Sequence, residues 1–87
     1  MESLNNRMCI KNENIGYDMV SKSEKEINTE LKLFYMIKAC EHFMLAIKYS
    51  NKTEKLRLRS ICDKYIEIGE NLKIQLENEK KFFKTEK

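Results

Sequence analysis

The sequence predicts an all-α protein, a three-helix antiparallel bundle running up, down and up. Two observations carry this reading. The chain has no proline and only two glycines among its 87 residues, with 36% charged and 41% hydrophobic side chains, a composition that suits helices and leaves strands nowhere to turn. Apolar residues also recur at spacings of three and four in three successive stretches, separated by short polar clusters, which is the period of an amphipathic helix. A chain of this length makes one small domain.

Residues 1–11 are rich in Asn and weakly periodic, and are expected to form a partly ordered lead-in. A first helix is expected over 12–28, with Ile15, Met19, Ser23 and Ile27 four apart and Val20 flanking them. Gly16 weakens that helix by about 1 kcal/mol relative to Ala, which is tolerable where the glycine lets another helix approach closely. Ser23-Glu24-Lys25-Glu26 matches a capping box, which would start a helix there. A break at Asn28-Thr29 is preferred, because Thr29 can cap the next helix and Glu30 then sits at its positive end.

The middle helix, over 30–50, organises the rest. Leu33, Met36, Ile37, Cys40, Phe43, Met44 and Ile47 form its stripe, with Ala39 and Ala46 largely outside it. A helix apolar over most of its circumference has to be covered on more than one side, so two further elements should pack on it. It should stop at Ser50-Asn51-Lys52-Thr53, where Asn51 suits a left-handed cap and Thr53 caps a third helix over 53–80. The third stripe is Leu58, Ile61, Cys62, Tyr65, Ile68, Gly69, Leu72 and Leu76. Residues 12–80 thus form the bundle. Phe83 continues the third stripe, but residues 81–87 are highly charged and read as a tail or the start of a linker.

Charge excludes more than it assigns. The net charge of +3 is small beside 17 basic and 14 acidic residues. The most basic run, Lys52 to Arg59, is interrupted by Glu54 and has no interleaved aromatic, so it lacks the coherent basic face that nucleic acid requires. No run approaches the ~18 apolar residues of a bilayer span and the N-terminus has no secretory h-region, which predicts a soluble, cytosolic protein. The three cysteines, Cys9, Cys40 and Cys62, are widely spaced and read as buried small hydrophobes in a reducing compartment. Two glycines cannot build a phosphate-binding loop. His42 is the only histidine and has no Cys or Asp at ligand spacing, so neither a metal site nor a catalytic residue is expected, and no cofactor.

Two stretches carry a family resemblance. Ala39-Cys40-Glu41-His42-Phe43-Met44-Leu45-Ala46-Ile47-Lys48-Tyr49 ends in the A-I-K-Y run, and Cys62-Asp63-Lys64-Tyr65-Ile66-Glu67-Ile68-Gly69-Glu70-Asn71-Leu72-Lys73 keeps Cys62, Tyr65, Glu70, Leu72 and Lys73 of a C-x-x-Y-L-x-R-A-E-x-L-K pattern. Together they resemble the MIT (microtubule interacting and trafficking) domain family, above all those at the N-terminus of vacuolar-sorting AAA ATPases. Asp18-Met19-Val20-Ser21-Lys22 stands where the family has D-L-V-T-K, while Ile68 replaces its Arg and Gly69 its Ala.

The resemblance implies an adaptor without enzymatic activity of its own. Such a monomeric domain binds C-terminal tails of ESCRT-III subunits and recruits an associated ATPase to endosomal membranes, which it meets only through ESCRT-III. It implies two grooves: one between the second and third helices for an amphipathic helix, one between the first and third for an extended, proline-containing segment. The residues support the former independently: Ile66 lies at the stripe's edge, Gly69 makes a dip and Glu70 flanks both. The resemblance adds Cys62 and Lys73 there, and Val20 to the other groove. The rival readings are a structural bundle or coiled-coil subunit, drawn from the heptad-like third helix, and a small basic nucleic-acid binder.

Overall fold

The computed structural model describes residues 3–85, with side chains described through Lys81. It contains α1 (Leu4–Lys25), α2 (Thr29–Lys48) and α3 (Lys52–Thr85), in the expected up-down-up order, and no strand among the described residues. α2 is the middle element: α1 packs on one side of it and α3 on the other. The α1 and α3 backbones stay apart and meet through side chains, notably Tyr17 on Tyr65 and Glu13 on Arg57. At about 1.5 Å per residue, the 34 residues of α3 outrun α2, and the molecule is 62 Å long but only 20 Å across.

The core explains why Gly16 stands inside a helix. Phe43, fully buried, lies against Gly16 so closely that a Cβ there would come within 2.7 Å of the ring. The same ring stacks on Tyr65 at 5.5 Å and takes the edge of Tyr17 at 5.1 Å, so one side chain of α2 holds both neighbours. Val20, Met36, Ala39 and Cys62 complete this cluster, and Cys9, Ala46 and Leu58 form a second one at the other end.

The helical faces depart from expectation at several positions. The buried line of α1 is Cys9, Asn12, Gly16, Val20 and Ser23, while Ile27 is 94% exposed in the connection that follows. On α2, Ala39 and Ala46 are fully buried whereas Ile37 and Met44 are about half exposed. Hydrophobicity ranks isoleucine and methionine above alanine, but burial follows position on the helix: Ala39 lies between Met36 and Phe43 on the buried line of α2. Ile68 likewise turns outward from the third stripe.

The helix ends differ in detail. α1 begins at Leu4, eight residues before the expected start, because Ser3 Oγ accepts from Asn6 N at 3.1 Å and Cys9 anchors the early turns against Ala46 and Leu58. Asn28, rather than Thr29, caps α2 by accepting from Leu31 N at 3.0 Å. Asn51, rather than Thr53, caps α3 by accepting from Glu54 N at 2.9 Å, and no described residue adopts a left-handed conformation. Asparagine is the stronger N-cap, and Thr29 is otherwise engaged, donating to Glu79 Oε1 at 3.0 Å. Ser23 starts no helix: its hydroxyl crosses to the Lys32 carbonyl at 2.8 Å. The helical backbone continues through 81–85, and the expectation for the Phe83 side chain lies outside the described ones.

Two polar links fix the helices against each other. Buried Asn12 donates from Nδ2 to the Met8 carbonyl at 2.9 Å and pairs its Oδ1 with His42 Nδ1 at 3.0 Å, so the single histidine is a packing residue with a satisfied ring nitrogen. Arg57 grips both Glu13 oxygens at 2.8 Å, which holds the Glu13 carboxyl below its usual range, and it also takes Glu54. The cation at the centre of the most basic run is therefore a clamp between α1 and α3.

Phe43→Ala is expected to destabilise the bundle by about 3–5 kcal/mol, as truncation of a buried aromatic does, read from the urea midpoint. Gly16→Ala should also destabilise, by up to about 2 kcal/mol, because overpacking costs ~1–3 kcal/mol and the helix-propensity gain returns only about 1 kcal/mol. A rise in midpoint for Gly16→Ala would show that Phe43 has room to move aside.

Candidate peptide-binding groove

α2 presents a wider apolar sector than its two neighbours cover. Its buried centre faces the core, but Leu33, Ile37, Cys40 and Met44 fall on one flank at helical spacing and look toward α3. α3 crosses antiparallel with Gly69 opposite Met36, Cys62 opposite Cys40 and Gln75 opposite Thr29. Between the two helices a trough of about 580 Å³ stays open, which is the size of a ligand site. Ile37 (48% exposed) and Met44 (50%) form one lip and Ile66 (37%) the other.

Of the residues assigned to this groove from sequence, the structure brings Ile66, Gly69, Glu70 and Lys73 together on its α3 bank. Cys62 does not line it. Its thiol is buried beneath the floor, 4.0 Å from the Cys40 carbonyl, and Cys40 is the cysteine that borders the trough. Burial, and secondarily the neighbouring Cys62, pushes the Cys40 thiol up to about 11, so it stays protonated at neutral pH and acts as apolar wall. Cys9 and Cys62 are raised by burial as well.

Val20 is a correction. It is 5% exposed, packed with Met36, Ala39, Phe43 and Cys62, and has no face to offer a peptide between α1 and α3. Its place on α1 follows from the Gly16 register, which turns Val20 inward. The α2 bank, by contrast, is absent from the sequence-based site, because Ile37, Cys40 and Met44 were assigned to the core. The signal that points to it is the breadth of the α2 apolar sector.

The rim is polar on both sides. Glu41 stands on α2, paired with Lys38 at 3.4 Å. Glu70 and Lys73 on α3 are exposed and make no salt bridge among the described residues. Nothing in the groove has the geometry of a metal site, and among the described residues no group of three His, Cys, Asp or Glu converges elsewhere. No described helix is long and apolar enough to cross a membrane.

Comparison with protein-family models, curated proteins and solved structures finds no match for this chain. The site therefore stands on its own geometry.

The two glycines should behave oppositely. A Cβ at Gly69 would meet only Met36 Cγ, at 3.7 Å, an ordinary contact. Gly69→Ala is therefore expected to raise stability by about 0.5–1 kcal/mol through helix propensity alone, measured beside Gly16→Ala in the same urea titration. A loss of stability at Gly69 would show that its missing side chain serves packing.

Proposed function

We propose that this chain is a protein-interaction domain of MIT type whose α2/α3 groove receives an amphipathic helix from the C-terminal tail of an ESCRT-III subunit, thereby bringing an associated AAA ATPase to ESCRT-III polymers. The observation that supports it best is the open trough between α2 and α3, with half-exposed Ile37 and Met44 facing Ile66 across it. An isolated monomer gains nothing by leaving three large apolar side chains at one opening. A helix with apolar residues at i, i+4 and i+7 fits such a channel between two helices.

The rim adds charge selection. Glu41, Glu70 and Glu77 stand against Lys73 and Lys80 around the trough, an excess of one carboxylate that favours basic side chains beside the ligand's apolar stripe, as charged rims steer partner choice. The tail of choice is therefore amphipathic, helical and basic on its polar flank. The resemblance in Ala39–Tyr49 and Cys62–Lys73 supplies the identity of the partner, while the groove supplies its shape.

The test is titration of a panel of ESCRT-III C-terminal peptides into the labelled domain. At least one helical tail is expected to bind at micromolar strength, about −8 kcal/mol. Ile66→Asp should weaken it at least tenfold, since it removes part of the ~1.5–3 kcal/mol available on isoleucine burial and sets a carboxylate against apolar side chains. Circular dichroism and melting of Ile66→Asp should match the parent, because Ile66 is a lip residue. Unchanged binding, or a collapse in melting, would remove Ile66 from the groove.

A further inference from the structure

Gly69 is unexplained by the fold. It sits in the interior of a continuous helix, where glycine costs about 1 kcal/mol relative to alanine. Its backbone is helical and no described glycine has positive φ, so conformation does not require it. Packing does not require it either: a Cβ would touch one atom, Met36 Cγ at 3.7 Å. Gly16, where the same atom would strike the Phe43 ring at 2.7 Å, shows what a packing glycine looks like in this molecule.

What Gly69 does have is a position. It lies midway along the α3 bank, one turn from Ile66 on one side and one turn from Lys73 on the other, opposite Met36 and Ile37. The missing side chain bares a flat patch of helix backbone with a methionine beside it.

We propose that Gly69 is a specificity notch: the groove selects a helix that carries an aromatic side chain at the position seated over Gly69. This rests on the groove being a helix-binding site and names the anchor it prefers. A planar ring fits a patch of bare backbone between two side-chain ridges better than a branched aliphatic does. Met36, only 2% exposed, floors the patch, its Cγ 3.7 Å from where a Cβ would stand. Lys73, exposed and without a salt bridge among the described residues, is one turn away and free to bring its ammonium over the ring face.

The experiment uses three synthetic 14-residue amphipathic peptides. All have Leu at apolar positions i and i+7 and lysines on the polar flank, and they differ only in Phe, Leu or Ala at i+4. Binding to the 87-residue chain is read by fluorescence anisotropy. The Phe peptide should bind about 2–5-fold tighter than the Leu peptide, the scale of a cation–π contact at an exposed site. Gly69→Met fills the notch with a good helix former and should remove that preference, weakening the Phe peptide about tenfold with a smaller effect on the Leu peptide. Lys73→Gln should reduce the ratio of Phe to Leu affinity, whatever common change the lost charge makes to both peptides. Gly69→Ala serves as the second variant should Gly69→Met melt early, with the same direction and a smaller change.

Equal binding of the Phe and Leu peptides by the parent, or a Phe preference that survives both Gly69 substitutions, overturns the notch and leaves the groove standing. Failure of all three peptides to bind the parent overturns the groove and the notch together.

Discussion

The contact between the Phe43 ring and the bare backbone of Gly16 is the constraint on which the rest of this bundle depends. Because the ring occupies the space a Cβ would need, only glycine fits at position 16, and Phe43 is fully buried on α2 together with Ala39 and Ala46. The other face of the ring is then free to stack on Tyr65, which sets α3. One aromatic thus spaces three helices. A core so small depends on each such contact, because the stability left after conformational entropy is only about 5–15 kcal/mol for a typical domain.

The groove follows from that arrangement by subtraction. With Met36, Ala39, Phe43 and Ala46 taking the buried line of α2, its further apolar residues fall on the flank, where Cys40 is covered but Ile37 and Met44 are half open. The site is therefore built from residues that lie beside the core. Its opposite bank is supplied by α3, whose Gly69 lowers the wall where Met36 approaches it.

Three helices in antiparallel order were legible in the sequence, because their apolar periods and the polar breaks at Asn28 and Asn51 are local signals. Ile66, Gly69 and Glu70 were legible as a groove bank for the same reason: adjacent positions on one helical wheel. Depth in the bundle was not. A wheel ranks Ile37 above Ala39, whereas position on the buried line of α2, between Met36 and Phe43, decides which of them is buried. The early turns of α1 were missed because their anchor is Cys9 against Leu58, a contact between residues far apart in sequence. Val20 was placed on a surface because its helix was read one face out of register, and the register is set by Asn12 and Gly16.

Asn12 has a meaning beyond its hydrogen bonds. A slip of α1 by one turn along α2 would bring Asn12 or Val20 to the place of Gly16 against the Phe43 ring, so the glycine already opposes it. The pair of Asn12 Oδ1 and His42 Nδ1 adds to this, since a slip would strand the buried Asn12 amide at roughly 1–3 kcal/mol. The amide acts as an index mark that works in the same sense as the glycine. The trough between α2 and α3 inherits this. Phe43, positioned by the indexed α1, determines where Tyr65 and with it the α3 bank come to rest, so a polar pair on the far side of α2 calibrates the width of an opening it never touches.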